Sequence, residues 1–251
     1  MSTSQPLVLS LFPGVGLLDM AFEEQGFCIV RGPDVLWGGD IRQFHPPAGK
    51  FDGIIGGPPC QCFSSLVHLV RANGHQPRFG NLIPEFERCV NEAQPLWYLM
   101  ENVRQAPLPN VAGYGRHSFL LENGQLGQAP RRLRRWSFGW RGGRRVLFVE
   151  TVALFPAIRE SAALGGNQGP NGQPNVSLRD RNGRKRGPNS CVGQNFKTRR
   201  AYSELCRKQG LPETFTLEPF TVVAACKAVG NGVPLAMGRA LAKAVMEAIS
   251  Q

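Results

Sequence analysis

A chain that drives an apolar run straight into two glycines and two prolines has few choices at that point, and Phe51 to Ser65 of this sequence does so. Phe51 to Ile55 reads as a short buried strand, Gly56-Gly57-Pro58-Pro59 stops it, and Cys60-Gln61-Cys62-Phe63-Ser64-Ser65 follows. Proline lacks a backbone donor and fixes φ, so the strand ends there and a thiol is held at a sharp bend. The carboxyl end of a strand in an open parallel sheet is where such folds bind ligands, a suitable place for a nucleophile.

Upstream, Leu7-Val8-Leu9-Ser10-Leu11-Phe12 reads as another short strand, followed by Pro13-Gly14-Val15-Gly16 and a helix with Leu17, Leu18, Ala21 and Phe22 on one face. Strand, glycine turn and helix open a Rossmann-like α/β unit, in which Gly14 and Gly16 let the backbone approach a ligand. The next strand, Phe27 to Arg31, leads to Asp34, and a third element brings Gly39-Asp40-Ile41. In such units an acid after the second strand accepts from ribose hydroxyls, and one at the tip of the third can accept from an adenine amino group. Both aspartates also suit a solvated turn. The span from Asp34 to Asp40 is too short for an intervening helix, so the layout is trimmed.

Leu82, Ile83, Phe86, Val90 and Ala93 mark a helix stopped by Pro95, and Leu96 to Met100 reads as a buried strand closed by Glu101-Asn102-Val103. A carboxylate at the end of an apolar strand is costly unless paired or functional, which makes Glu101 a site candidate. The arginine-rich stretch from Gly127 to Gly143 includes Arg131-Arg132-Leu133-Arg134-Arg135-Trp136, a mixture of basic and aromatic residues suited to gripping phosphates. Arg145 to Val149 reads as a further strand. From about Arg159 to Arg200 apolar periodicity fades into Gly, Asn, Pro, Gln, Arg and Lys, a composition for a recognition module ordered by its partner or a flexible basic insert. Tyr202 to Leu211 reads as a short helix. After Gly230-Asn231-Gly232-Val233-Pro234, Met237, Leu241, Ala244, Val245 and Ala248 fall at helical spacing for packing on the main sheet.

With 251 residues the chain buries one sizeable core plus a small appendage, and its net charge of +11 favours a polyanionic partner. Met1 to Gln5 has no basic segment leading into a long apolar core, and no apolar run reaches membrane-spanning length, so a cytoplasmic protein without a signal peptide is expected. The cysteines at 28, 60, 62, 89, 191, 206 and 226 show no zinc-type C-x-x-C spacing, so no metal is expected and most are read as small buried hydrophobes.

Together these stretches resemble the ordered motif set of the DNA cytosine-5 methyltransferases, over nearly the whole chain outside 155–200. Phe12-Pro13-Gly14-Val15-Gly16 is similar to the family's cofactor loop, Gly57-Pro58-Pro59-Cys60-Gln61 to its nucleophile loop, and Glu101-Asn102-Val103 to its Glu-Asn-Val motif. Gly230-Asn231-Gly232-Val233 resembles its closing motif. The Gln-x-Arg-x-Arg motif is met at Arg132 and Arg134, with Pro130 at the glutamine position and Gln128 displaced. The likeness is greatest to small bacterial or phage-type members, associated with restriction-modification.

The resemblance implies an α/β, Rossmann-like S-adenosylmethionine-dependent methyltransferase fold. Its expected parts are a catalytic region over 1–154, a reduced, irregular target-recognition region over 155–200, and a segment over 201–251 returning to the catalytic part. It implies methylation of duplex DNA by a monomer at a cytosine rotated out of the helix. Cys60, Glu101, Arg132 and Arg134 would be catalytic, with Arg134 the candidate for lowering the Cys60 pKa. S-adenosylmethionine would be bound by Phe12, Gly14, Gly16, Asp34, Asp40, Ile41, Pro59, Leu82, Asn231 and Val233. The loop from Cys60 to about Asn81 would close over the base, with Cys62 packing behind it. Alternatives are a transfer-RNA cytosine-5 methyltransferase and an inactive basic DNA-binding homologue. An NAD-dependent oxidoreductase gives Pro-Pro-Cys-Gln no purpose.

Overall fold

A computed structural model of the chain describes residues 5–63, 67, 72, 74, 76, 77, 79–128, 130–152, 160, 161 and 199–251. In chain order the strands are β1 (Leu7–Leu11), β2 (Cys28–Arg31), β3 (Gly53–Gly56), β4 (Trp97–Asn102), β5 (Tyr114–Glu122), β6 (Pro130–Arg131), β7 (Leu133–Arg141) and β8 (Glu160–Ser161). The helices are α1 (Leu17–Glu24), α2 (Ile83–Ala93), α3 (Arg199–Lys208), α4 (Val222–Asn231) and α5 (Leu235–Ile249). The chain divides into two compact units, Met1–Leu121 with Leu133–Glu150 and Arg239–Gln251, and Glu122–Arg132 with Thr151–Gly238.

The first unit holds a six-stranded sheet in the order β2-β1-β3-β4-β7-β5. β2, β1, β3 and β4 run parallel, and β7 joins β4 antiparallel. β1, β3 and β4 are buried on both faces, which is why they read as continuous apolar runs rather than alternating ones, while β2 is largely exposed. Leu9, Leu11, Ile54, Tyr98 and Met100 belong to one buried cluster with Ile83, Phe86, Val90 and Ala93 of α2. That helix recurs at Phe86, Val90 and Ala93, as its sequence predicts. Trp97 instead meets Phe22, Phe27 and Phe138, at ring-centroid separations of 6.3, 6.0 and 6.4 Å. Two glycines make room for the large rings of β4: a Cβ on Gly53 would overlap the Trp97 indole, and one on Gly139 the Tyr98 ring. The register sets each glycine directly opposite its aromatic.

The chain steps outward from β1 to β2 on one side and to β3 on the other, so the order reverses between β1 and β3. Crevices at such a reversal receive ligands in open α/β sheets. Leu11 lies beside Gly56 there, so the turn after β1 and the Cys60 loop after β3 emerge side by side.

Three expectations are corrected. The third element, at Gly39-Asp40-Ile41, is no strand: 3-10 turns occupy Val35–Trp37 and Ile41–Gln43, and β2 is the outer strand of the sheet. Arg145 to Val149 makes no ladder; the Leu147 amide donates to His117 Nδ1 at 3.1 Å, while the Arg145 guanidinium stacks 4.0 Å from the Trp140 ring centre. The arginine-rich stretch, read as a phosphate-gripping surface, is largely β7, with Trp136, Ser137, Phe138 and Gly139 buried.

In the second unit β6 pairs with β8, and α3 and α4 carry the buried Leu205, Cys206, Ala225, Cys226 and Val229. Thr221 caps α4, accepting from the Ala224 amide at 3.3 Å. Gln209 is 2% exposed and donates through Nε2 to the Val229 carbonyl at 3.1 Å. Most of the expected recognition region, 155–159 and 162–198, lies outside the described residues.

Candidate active site

Within the first unit, the bend after β3 is tied to the end of β4. Asn102 is buried and donates through Nδ2 to the Pro58 carbonyl at 3.2 Å, while its Oδ1 accepts from the Val103 amide at 2.8 Å. A Cβ on Gly57 would stand 3.2 Å from Oε2 of Glu101. The loop that carries Cys60 therefore starts against the carboxylate, and Gly57 leaves that carboxylate its room. Cys60 is half-buried, and its carbonyl accepts from the Phe63 amide at 2.9 Å, closing a tight turn through Gln61 and Cys62. Cys62 is likewise half-buried. Ser64, Ser65 and most of the remaining loop to 78 lie outside the described residues.

Glu101 finds its counter-charge across the antiparallel pair. It stands directly opposite Trp136, which makes Arg134 its diagonal neighbour on the same face, within reach of a long side chain. Arg134 Nε lies 2.6 Å from Glu101 Oε1, with the two side chains only 20% and 14% exposed. A partly desolvated carboxylate is thus paired, and its Oε2 is the oxygen turned toward the Cys60 loop. Arg132 belongs to the second unit and is 7% exposed. Its guanidinium donates to the Gly230 carbonyl at 2.9 Å and the Asn231 carbonyl at 2.8 Å, capping the last turn of α4. These are the contacts of a residue that fixes the Gly-Asn-Gly-Val turn.

A shallow cleft, open to solvent and about 40 Å³ as a cavity, lies beside the reversal point, lined by Phe12, Asp34, Asp40, Ile41, Pro59 and Leu82 among the expected cofactor residues. Pro33, Val35, Gly39, Arg42 and Phe79 complete it. Gly14 and Gly16 do not line it; they shape the turn that precedes α1, at φ of 57° and 80°. Asn231 and Val233 are in the second unit, at the end of α4 and just after it. Phe12 has φ of 56°, a left-handed conformation that a bulky residue seldom adopts and that concentrates at ligand sites. A Cβ at Gly14 would meet nothing within 4 Å, so the backbone there is open to close approach. Asp40 caps the Ile41–Gln43 turn, accepting from the Arg42 amide and Arg42 Nε at 3.0 Å each. The Arg42 hydrogen bond holds the Asp40 carboxyl below the usual carboxylate range, so it is an acceptor at neutral pH. The cleft thus combines apolar walls with two carboxylates and one guanidinium.

The residues that sequence reasoning missed are Asn102, which anchors the bend, and Arg42 and Pro33 in the cleft. Asn102 was within reach, standing inside the Glu-Asn-Val motif. The buried Cys89, Cys206 and Cys226 are the inert cysteines that composition suggested, and burial pushes the Cys89 thiol up to about 11.

A family model for C-5 cytosine-specific DNA methylases matches residues 36–111, the stretch that holds Asp40, Cys60 and Glu101. The Type II methyltransferase M.HgiGI of Herpetosiphon aurantiacus is 32% identical over 124 residues, covering 41% of this chain and 94% of that protein. The chain belongs to the C-5 cytosine-specific DNA methylase family. Type II methyltransferase M.FnuDI of Fusobacterium nucleatum is 38% identical over 113 residues, 39% of this chain and 32% of that protein. The match thus spans about a third of the length of the first curated relatives, such as 35% for M.NgoPII of Neisseria gonorrhoeae. Among solved structures, Spodoptera frugiperda DNMT2 superposes with a TM-score of 0.59 at 16% identity, covering 96% of this chain and all of that one. Entamoeba histolytica EhMeth gives 0.59 at 12% identity, covering 98% and 99%. These likenesses show the Rossmann-like methyltransferase fold. Among the described residues no His, Cys, Asp or Glu cluster suits a metal ion, and no helix is long and apolar enough to cross a membrane.

Proposed function

We propose that the chain is a DNA cytosine-5 methyltransferase that takes its methyl group from S-adenosylmethionine, and that Cys60 and Glu101 carry the chemistry. The observation supporting this most directly is the Glu101–Arg134 pair set against the first residue of the Cys60 loop. C5 of cytosine is a poor nucleophile until the conjugation of the ring is broken. The Cys60 thiolate adds at C6, and the electron pair of the C5–C6 double bond becomes available at C5. Glu101 holds N3 and the exocyclic amino group, stabilising the charge that moves into the ring, while Arg134 fixes the carboxylate. Phe12, Asp40, Ile41, Pro59 and Leu82 would hold the donor, whose sulfonium methyl would pass to C5 as the S–CH3 bond breaks and the thioether leaves. Loss of the C5 proton to a base and expulsion of Cys60 as thiolate then restore aromaticity.

In a duplex the ring is inaccessible, so the cytosine rotates out of the stack and the loop after Cys60 covers it. The 155–200 region, reduced in length and basic, serves target recognition. The protein acts as a monomer in the cytoplasm.

The test offers radiolabelled S-adenosylmethionine with duplex DNA and, separately, with transfer RNA, followed by bisulfite sequencing of DNA from expressing cells. Label on DNA at C5 of cytosine is expected; label on transfer RNA alone would replace the substrate. Cys60→Ser should abolish transfer and leave donor binding by calorimetry within about twofold, since the thiol is used in the chemical step. Near-normal turnover of that variant would remove Cys60 from the mechanism. Glu101→Gln should lower kcat by about 10²-fold or more while DNA affinity changes little.

A further inference from the structure

We propose that Asp34 and Trp37 form a two-point clamp on Gly14 that sets the turn beside the cofactor cleft, which makes Asp34 a positioning residue rather than the acceptor of ribose hydroxyls. The proposal rests on reading that cleft as the S-adenosylmethionine site. Asp34 Oδ2 accepts from the Gly14 amide at 2.9 Å, and Trp37 Nε1 donates to the Gly14 carbonyl at 2.8 Å. One residue of the glycine turn therefore has both its backbone groups held by side chains of a single 3-10 turn. Oδ1 of Asp34 is engaged as well, accepting from the Leu36 amide at 2.7 Å and capping the turn that presents Trp37. Each oxygen of this carboxylate thus already serves backbone.

The turn needs such a hold. Gly14 and Gly16 sit at φ of 57° and 80°, where glycine is unopposed by sterics but loses the most chain entropy on being fixed. Burial cannot fix the clamping segment: Val35, Leu36 and Trp37 are 47%, 36% and 58% exposed. With β2 outermost and only 3-10 turns over Val35–Trp37 and Ile41–Gln43, no further strand among the described residues backs this side of the sheet. Directional bonds do there what packing does elsewhere in the unit. The rigid indole suits the task, because two χ angles place its N–H.

The experiment has an arm that does not involve the donor. Amide exchange of Gly14, followed by NMR on the full chain, should quicken by about tenfold in Trp37→Phe, the size of one hydrogen bond, and more in Asp34→Asn. Unchanged Gly14 exchange in both variants overturns the clamp. In calorimetry, Trp37→Phe should weaken S-adenosylmethionine about five- to tenfold and raise its KM with kcat nearly unchanged, since a loosened turn is felt on binding. The same factor should be lost by Asp34→Asn and Asp34→Ala toward S-adenosylmethionine and toward its 2′,3′-dideoxy analogue. A clearly smaller loss toward the analogue would mean that Asp34 grips the ribose, and would overturn the positioning role. Failure of the unsubstituted chain to bind S-adenosylmethionine would sink the proposed function, while the exchange arm would still decide whether the clamp exists.

Discussion

Glu101 and Arg134 are 33 positions apart in sequence and meet because the β4–β7 register sets them diagonal, so the pair is a consequence of strand alignment. Gly57 is the third member of that arrangement, and its missing side chain is what lets Oε2 keep its position. A methyl group there would stand 3.2 Å from Oε2, and Arg134 restrains the other oxygen at 2.6 Å. Gly57→Ala should therefore displace the carboxylate by a few tenths of an ångström, lowering kcat by about tenfold with donor affinity unchanged. Single-turnover methylation beside donor calorimetry checks this, and equal losses in both would point to a collapsed loop. His117 carries a different residue-scale prediction. Burial lowers its pKa from 6.5, with the charge of Arg144 adding to the effect, and its neutral ring accepts the Leu147 amide. The unfolded chain takes up this proton at about 6.5 while the folded chain resists it to lower pH. The stability His117 contributes is thus complete above that value and is lost as pH falls below it. Urea midpoints at pH 7.5 and 5.5 should fall more for the native chain than for His117→Asn, and parallel falls would remove His117 from the account.

At the scale of elements, β1, β3 and β4 were legible because burial on both faces writes them as short apolar runs ended by glycine, proline or an acid. The antiparallel β7 was not, because Arg134 and Arg135 have satisfied partners in Glu101 and the Ala106 carbonyl, information absent from their own stretch of sequence. Arg145 to Val149 failed the other way: its apolar residues suit a strand, but Phe148 remains 79% exposed while Leu147 alone is buried. Cys60, Glu101 and the glycine turn were readable as motifs. The contacts of Asp34 and Arg132 depend on which backbone groups the fold leaves in reach. Gly53 and Gly139 show how one element is shaped by its neighbour. Each faces a fully or almost fully buried ring on β4, so Gly53→Ala must displace the Trp97 indole from contacts with Phe22, Phe27 and Phe138. Overpacking of this kind costs about 1–3 kcal/mol. A melting temperature lower by several degrees is expected, and an unchanged one would show that the β3–β4 contact yields without strain.

For the molecule as a whole, the distribution of charge matters more than its sum. The chain carries 29 lysines and arginines against 18 acids. Many acids are already engaged, Asp19 with Arg31, Glu24 with Arg239, Glu85 and Glu92 with Arg88, Glu101 with Arg134, and Glu150 with Lys243. Such groups are nearly neutral at a distance, so the positive excess of the chain resides in basic residues beyond them. If that excess meets phosphates, binding releases condensed counterions, and affinity falls with salt by a power close to the number of phosphates neutralised. Neutralising even two would weaken duplex binding about tenfold between 50 and 200 mM salt. The cleft proposed for the donor is small, with its Asp40 carboxylate already paired with Arg42, and donor binding should change far less. Fluorescence anisotropy with Cys60→Ser and labelled duplex, run beside donor calorimetry over the same salt series, separates the two. A flat DNA curve would mean that the basic excess does not grip the backbone. A steep curve for DNA and a shallow one for the donor would assign the charge of the chain to its polymeric substrate.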